Sequence, residues 1–315
     1  MDESTPSIAG ERADDSIVAR SSSRAAAGRA TLLIALAACG FGAIAILVTL
    51  GTRTGAPLMT LLAGRYLVAA MILGAVAGMA RELRLDRPAR RVLVFGGIGQ
   101  VLIAVVSLSA LRYIPAATLS FLFYTYPAWV ALITRFRHSE PLTPIRLFAL
   151  GLSLAGIFVM VGAPGAAALH PVGVVLALSA AVLYAIYVPM IGALERGLPP
   201  VATATYMSTG AAIVLLISGA VMGDLTIALH RTAWTAIVLL ALVSTVFAFL
   251  AFLRGLRVLG PVRTAIVSTV EPFFTALMGA WLLDQPLTST TLIGGAFIAA
   301  AVILLQLRPA NNHNR

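Results

Sequence analysis

The sequence predicts an all-α integral membrane protein with ten transmembrane helices in two inverted five-helix repeats. Three observations lead there. The chain of 315 residues is 60% hydrophobic and only 11% charged, whereas a soluble domain carries about 25% charged residues. Its apolar residues fall in blocks close to the roughly 20 residues that a helix needs to span a bilayer. The first half also aligns on the second at a constant offset of 145 residues over a long stretch.

Residues 1–30, "MDESTPSIAGERADDSIVARSSSRAAAGRA", are polar and mixed in charge. They are expected to form a disordered cytoplasmic tail. They do not read as a signal peptide, because the apolar run that follows starts too late and is too long. Apolar runs then occur at about 31–50, 57–80, 92–111, 115–134, 144–163, 172–194, 200–222, 233–253, 262–283 and 287–307. They are too long for barrel strands, and their apolar residues do not alternate with polar ones. Residues 308–315 are expected to be a cytoplasmic C-terminal tail.

The formal net charge is +10, and all 22 basic residues are arginine. With the N-terminus in the cytoplasm, the cytoplasmic segments hold 18 of them and the opposite side holds three, Arg53, Arg112 and Arg231. Arg65 alone lies inside a helix. This bias orients the protein with both termini in the cytoplasm, as a multi-pass protein of the inner or plasma membrane. The arginines sit in short gaps with no basic helix, which excludes a nucleic-acid partner. Cys39 is the single cysteine, so neither an intrachain disulfide nor a thiolate cluster can form. His138, His170, His230 and His313 lie in gaps or the tail, away from metal-ligand spacing. No metal or cofactor is expected. "GGIGQ" (96–100) lacks the lysine of a phosphate loop.

The repeat is clearest where "LRYIPAATLSFLFYTYPAWVALITRFRHSEPLT" (111–143) meets "LRVLGPVRTAIVSTVEPFFTALMGAWLLDQPLT" (256–288) without a gap. Pro127 recurs as Pro272, and Pro141, Leu142 and Thr143 recur as Pro286, Leu287 and Thr288. "ALAACGFGAI" (35–44) and "ALSAAVLYAI" (177–186) align at an offset of 142. Five helices is an odd number, so the second copy enters the membrane upside down. Inverted repeats of this kind build transporters, whose halves exchange the side on which they open.

These residues resemble the drug/metabolite transporter superfamily, in particular its EamA-domain branch. The resemblance is carried by "LLAGRYLVAAMILG" with Arg65, "SALRYIPAATLSFLFYTYPAW" with Pro127, "SEPLTPIRLFALGLSLAGIFVMV", "LALSAAVLYAIYV", "VRTAIVSTVEPFFTALMGAWLLDQPLT" and "GGAFIAAAVILL". It covers residues 31–307 and implies one EamA-like repeat over 31–163 and a second over 164–307. It also implies export of amino acids, drugs or other metabolites. Two positions depart from the pattern. The acid before the first "PLT" is Glu140, but Gln285 stands before the second. The membrane carboxyl Glu271 matches Tyr126 in the first half.

Glu271 lies about nine residues into its run, about 14 Å deep at 1.5 Å per residue. A carboxyl group at that depth must be paired, protonated or facing water. Thr264, Ser268, Glu271 and Thr275 step by 4, 3 and 4, which is one helical face. A proton and a cationic substrate group competing for Glu271 would form a minimal antiport site; a structural carboxyl bonded to a neighbouring helix is the alternative. Pro272 removes the donor that would have met the Ser268 carbonyl and leaves it open to a side chain or ligand. Pro127 does the same in the first half, which makes both prolines candidate hinges. Arg65 is placed to bind a substrate carboxylate, to pair with Glu271, or to snorkel along its own stem. Gln100, Tyr124, Tyr126, Trp129, Tyr184 and Tyr187 are candidate cavity-lining groups, the aromatics offering a wall for an amine. Ser107, Ser244 and Thr245 are weaker candidates, since hydroxyls bond their own helix backbone.

The expected function is secondary transport of a small molecule, with protons as candidate co-substrate, as a monomer or dimer in the bilayer. A passive facilitator or exchanger is the closest rival. An intramembrane enzyme would want clustered acids, histidines or metal ligands, and a scaffold would not need inverted halves.

Overall fold

The computed structural model describes residues 8–126, 128–130, 132–133, 144–161 and 169–307. Among the described residues the protein is helical, without strands. Helix α1 spans Ile8–Arg53, α2 Leu58–Met79, α3 Arg87–Arg91, α4 Gly97–Ser109, α5 Ala116–Phe123 and α6 Pro144–Val161. Next come α7 Pro171–Leu194, α8 Pro200–Met222, α9 Arg231–Ala241, α10 Ala248–Ser268, α11 Val270–Leu283 and α12 Ser289–Leu307. Two π-helical segments, Val92–Gly96 and Leu242–Phe247, join α3 to α4 and α9 to α10. Among the described residues, six stretches are long and apolar enough to cross a membrane: Ala26–Arg53, Leu58–Met79, Arg87–Arg112, Pro171–Ile191, Pro200–Met222 and Arg231–Leu256. Shorter apolar helices cover 147–159, 270–283 and 289–304.

Local chemistry sets many boundaries. Asp86 Oδ1 accepts from the Ala89 amide at 2.9 Å and caps α3, while His170 and His230 cap α7 and α9. Pro171 and Pro200 open their helices, where a missing N–H costs nothing. Gly223 closes α8 in the left-handed region at φ 72°. Large apolar side chains such as Phe158, Ile217 and Trp281 face outward. In water such a surface would be unstable; against lipid it is the favourable one.

Two boundaries differ from expectation. The helical backbone of α1 begins at Ile8, inside the segment expected to be an unstructured tail, where alanine, arginine and glutamate all favour helix. The break expected near 254–261 is absent from the hydrogen bonding, which stays helical from Ala248 to Ser268. The chain nevertheless reverses its direction along α1 between Gly255 and Glu271. Gly255 packs on Ala30 and Ile34 of α1, whereas Glu271 and Thr275 lie at Gly42.

Contacts fix the direction of each helix relative to α1. The π segment and α10 run against it, with Ala236 near Gly51, Val243 and Ala248 at Gly40, and Gly255 at Ile34. Helix α11 runs with it, from Glu271 at Gly42 to Leu283, whose carbonyl accepts from Arg53 Nη2 at 3.0 Å. Helix α2 starts at the Arg53 end, where Leu61 meets Gly51. Helix α8 runs opposite to α2, from Tyr206 bonded to Arg84 to Asp224 bonded to Thr60. Helix α4 runs alongside α8: Gly97 crosses Gly210, and Leu108 and Leu215 share one apolar cluster. Helix α7 runs back, from Gly173 on Tyr113 and Ile114 to Tyr187 on Gly99. Helix α5 runs against α11, from Ala116 bonded to Gln285 to Tyr124 bonded to Glu271, with Phe121 against Gly295 of α12.

The Gly97–Gly210 crossing has no room for a side chain. A Cβ on Gly97 would sit 2.5 Å from the Gly210 carbonyl carbon, and one on Gly210 would overlap the Leu93 carbonyl oxygen. Small residues at such a crossing bring backbones into direct contact, the main source of packing energy between membrane helices.

Candidate functional site

The predicted residues gather in two clusters at one depth, beside successive residues of α1. Phe41 lines the first, and Gly42 touches the backbone of the second.

In the first, Arg65 is 5% exposed and its Nε donates to Thr245 Oγ1 at 2.8 Å. Its guanidinium also lies 4.9 Å from the centroid of the Tyr66 ring. Gln100 Nε2 donates to Tyr66 Oη at 3.0 Å. These groups line a cavity of about 80 Å³, together with Ser244. The Ser244 hydroxyl is fully buried and has no hydrogen-bond partner among the described residues. Among the described residues Arg65 forms no ion pair, and Glu271 does not line its cavity. Of the three roles open to Arg65, pairing with Glu271 is not observed, and the buried guanidinium does not snorkel. Its partner is a hydroxyl on the third long helical stretch of the second half. Four N–H donors remain for whatever fills the cavity, since an arginine carries five and one is given to Thr245.

The second cluster surrounds Glu271, which is partly exposed. Tyr124 Oη lies 2.9 Å from Glu271 Oε2 and 2.7 Å from the Ser268 carbonyl. That carbonyl is the one Pro272 leaves without a backbone donor, so the vacancy expected from the sequence is filled by a phenol. Tyr126 and Tyr184 pack edge to face at 4.8 Å, Tyr124 and Tyr126 at 6.0 Å. Tyr184 stacks near Tyr187 at 6.4 Å, and Phe123 adds a ring at 5.1 Å from Tyr184. Tyr187 packs on Gly99 and donates to the Gly96 carbonyl at 3.0 Å. The aromatic row thus leads from Glu271 to the helix that carries Gln100.

One further expectation is corrected, and other candidate groups find local partners. Thr264, Ser268, Glu271 and Thr275 do not form one continuous face, because the helix is interrupted at Thr269. Thr275 Oγ1 donates to Gly42 O at 3.1 Å and is buried against α1. Trp129 Nε1 turns back to Thr125 Oγ1 at 3.2 Å, and Ser107 bonds its own helix at the Ala104 carbonyl. Pro127 and Glu140 lie outside the described residues.

Sequence reasoning missed Tyr66 and the π segments. Side chains of the site bond carbonyls beside these segments: Tyr187 donates to Gly96 O, and Thr245 Oγ1 donates to Leu240 O at 2.9 Å. Such segments recur at functional sites. The adjacency of Tyr66 to Arg65 was the one available signal.

Comparison with known proteins bears on this arrangement. The sequence model of the EamA-like transporter family matches residues 28–162 and again 171–307. An uncharacterized transporter of Synechocystis sp., sll1319, is 23% identical over 240 residues, covering 71% of this chain and 70% of that protein. The uncharacterized transporter YcbK of Bacillus subtilis is 26% identical over 191 residues, covering 58% of this chain and 61% of its own. A solved crystal structure superposes with a TM-score of 0.63 at 21% identity, over 88% of this chain and 96% of that one. This last likeness concerns the fold.

Proposed function

The chain belongs to the EamA-like transporter family, and from that premise we propose that it is a secondary active transporter exporting small metabolites across the cytoplasmic membrane by alternating access. In this reading ten helices form repeats over 31–163 and 164–307, with both termini in the cytoplasm. The observation that carries it is the opposed direction of equivalent helices. Helices α1 and α7 run oppositely, as do α2 and α8, α4 and α10, and α5 and α11. Equivalent positions also meet at the centre, as an axis between inverted halves requires. Gln100 and Thr245, 145 apart, line one cavity, and Tyr126 and Glu271, 145 apart, both flank Tyr124.

The two clusters support one substrate class. Arg65, Gln100 and Ser244 suit a carboxylate; Glu271 with its aromatic wall suits an ammonium group. Amino acids and amines fit this pair of poles. Hydrogen-bond accounting supports proton coupling through Glu271. Tyr124 has one proton and two acceptors in reach; both contacts are satisfied when Glu271 is protonated and donates to the phenol. Arrival of a cationic group at Glu271 would displace that proton.

The test is flux of amino acids and amines in proteoliposomes with and without an imposed pH gradient, wild type beside Glu271→Gln. Gradient-driven flux in the wild type that becomes gradient-independent in Glu271→Gln is expected. Full coupling retained in the variant rules out Glu271 as the proton site. Flux without proton movement in the wild type indicates a facilitator or exchanger.

A further inference from the structure

A second and larger cavity, about 510 Å³, opens at the Arg53 end of the bundle. It lies between the C-terminal ends of α1 and α4, the link to α2, and Gln285 beyond α11. Only three arginines are expected on that side of the membrane, and two of them, Arg53 and Arg112, line this one cavity. Among the described residues no acidic side chain lines it; Asp284, next to Gln285, is exposed. Arginines at helix ends can serve the helix dipole alone. Arg53 does so in part, giving one nitrogen to the Leu283 carbonyl. That role does not explain why both open into a shared concavity edged by the hydroxyls of Thr49 and Thr52.

The floor of this cavity is apolar. Val48, Leu58 and Leu108 line it and belong to a cluster that also contains Leu62, Val101, Ala104 and Tyr66. Tyr66 and Arg65 are in turn walls of the inner cavity. Arg65 is seven residues beyond Leu58 and Gln100 eight before Leu108, so about 10–12 Å of helix separates the two spaces. One dry layer of side chains therefore divides two arginine-lined spaces on a common line.

We propose that the Arg53–Arg112 cavity is a binding station for an anionic group, a carboxylate or phosphate, separated from the Arg65 cavity by a gate of Val48, Leu58 and Leu108. Its place on the export route, as the last station before release, rests on the transporter reading; its chemistry does not. Arg53 and Arg112 are both exposed, and two guanidinium groups sharing one concave wall focus their field and attract anions more strongly than the same groups set apart in open water. A volume of this size holds a small metabolite.

The test needs no known substrate. In a Cys39→Ser background, Thr52→Cys places a thiol in the cavity, with Thr49→Cys as a second reporter should the first misfold. In phosphatidylcholine nanodiscs, the thiol is labelled with anionic ethylsulfonate or cationic ethyltrimethylammonium methanethiosulfonate, each rate being divided by that for free 2-mercaptoethanol. The anionic reagent should be favoured about tenfold, and Arg112→Gln, alone or with Arg53→Gln, should abolish the preference. Inorganic phosphate and benzoate should each slow labelling at least twofold. Protection by phosphatidylglycerol but by neither soluble anion would keep the anion site, assign it to lipid headgroups and remove it from the export route. A rate ratio unmoved by neutralising the arginines, or no protection by phosphate, benzoate or phosphatidylglycerol, overturns the proposal. Failure of gradient-driven flux with this charge preference intact would count against the transporter reading alone.

Discussion

Tyr124 and Pro272 are predicted to be energetically coupled through one carbonyl oxygen. In an uninterrupted helix the amide of residue 272 would donate to Ser268 O; proline has no amide hydrogen, and Tyr124 Oη occupies the position at 2.7 Å. Tyr124→Phe removes that contact and the one to Glu271 at 2.9 Å. Hydrogen bonds between membrane helices average about 0.6 kcal/mol and reach about 1.7, so two of them put the cost near 2 kcal/mol. Pro272→Ala supplies a backbone donor for Ser268 O. In that background Tyr124→Phe loses only the carboxyl contact, and its cost should fall by about 1 kcal/mol. The four proteins of the cycle are compared by SDS-driven unfolding in mixed micelles. Costs that add to within about 0.3 kcal/mol, as for independent sites, would refute the claim that the phenol substitutes for the missing amide.

Gly210→Ala should prevent assembly, because its Cβ overlaps the Leu93 carbonyl; size-exclusion chromatography should show little monodisperse protein, whereas Gly151→Ala, with open space around it, should be normal. Asp86→Ala removes the cap on Ala89 N and should cost about 1 kcal/mol of stability, read in the same micelle assay. Arg65→Ala should reduce flux of carboxylate-bearing substrates more than of neutral ones; equal loss for both would leave Arg65 a packing role only. Glu195, just past α7, has its carboxyl pushed above the usual value by burial. A folded-state value above the unfolded one means that stability falls as pH rises through that interval. Glu195→Gln should therefore stabilise the protein at pH 7 and have no effect at pH values where both forms are neutral.

Helix positions were legible where proline and glycine mark them. The runs at 57–80, 172–194 and 200–222 correspond to Leu58–Met79, Pro171–Leu194 and Pro200–Met222, bounded by Pro57, Pro171, Pro200 and Gly223. The π segments were not legible, because Val92–Gly96 and Leu242–Phe247 differ from α-helix by one added residue per turn and carry no residue type that announces it. Depth alone identified Arg65 and Glu271, since a charge within an apolar run stands out whatever the fold. Their partners did not follow, because Thr245 lies 180 residues from Arg65 and Tyr124 lies 147 from Glu271. Periodicity fixes which face a residue occupies but not the neighbour across the interface. Gln285, read as a missing acid, accepts from the Ala116 amide at 3.0 Å and so caps α5. A neutral amide oxygen suffices there.

The two halves are unequal in a way that bears on movement. Helix α2 packs against the third helical stretch of the second half, and α8 packs against its counterpart in the first. Symmetry makes these the same interface. One is closed on Gly97 and Gly210 with backbones in contact; the other holds a cavity of about 80 Å³ spanned by the bond from Arg65 to Thr245. Alternating access built on inverted repeats needs one such interface open while its twin is shut. A complete exchange, however, would force the arginine into a crossing that admits only glycine. The glycine interface is therefore better suited to a pivot. Movement concentrated at the Arg65 interface would break one hydroxyl bond and change the volume offered to a ligand, with the π turn of Leu242–Phe247 supplying slack in the backbone. The charge that distinguishes the halves thus lies at the interface with room to move.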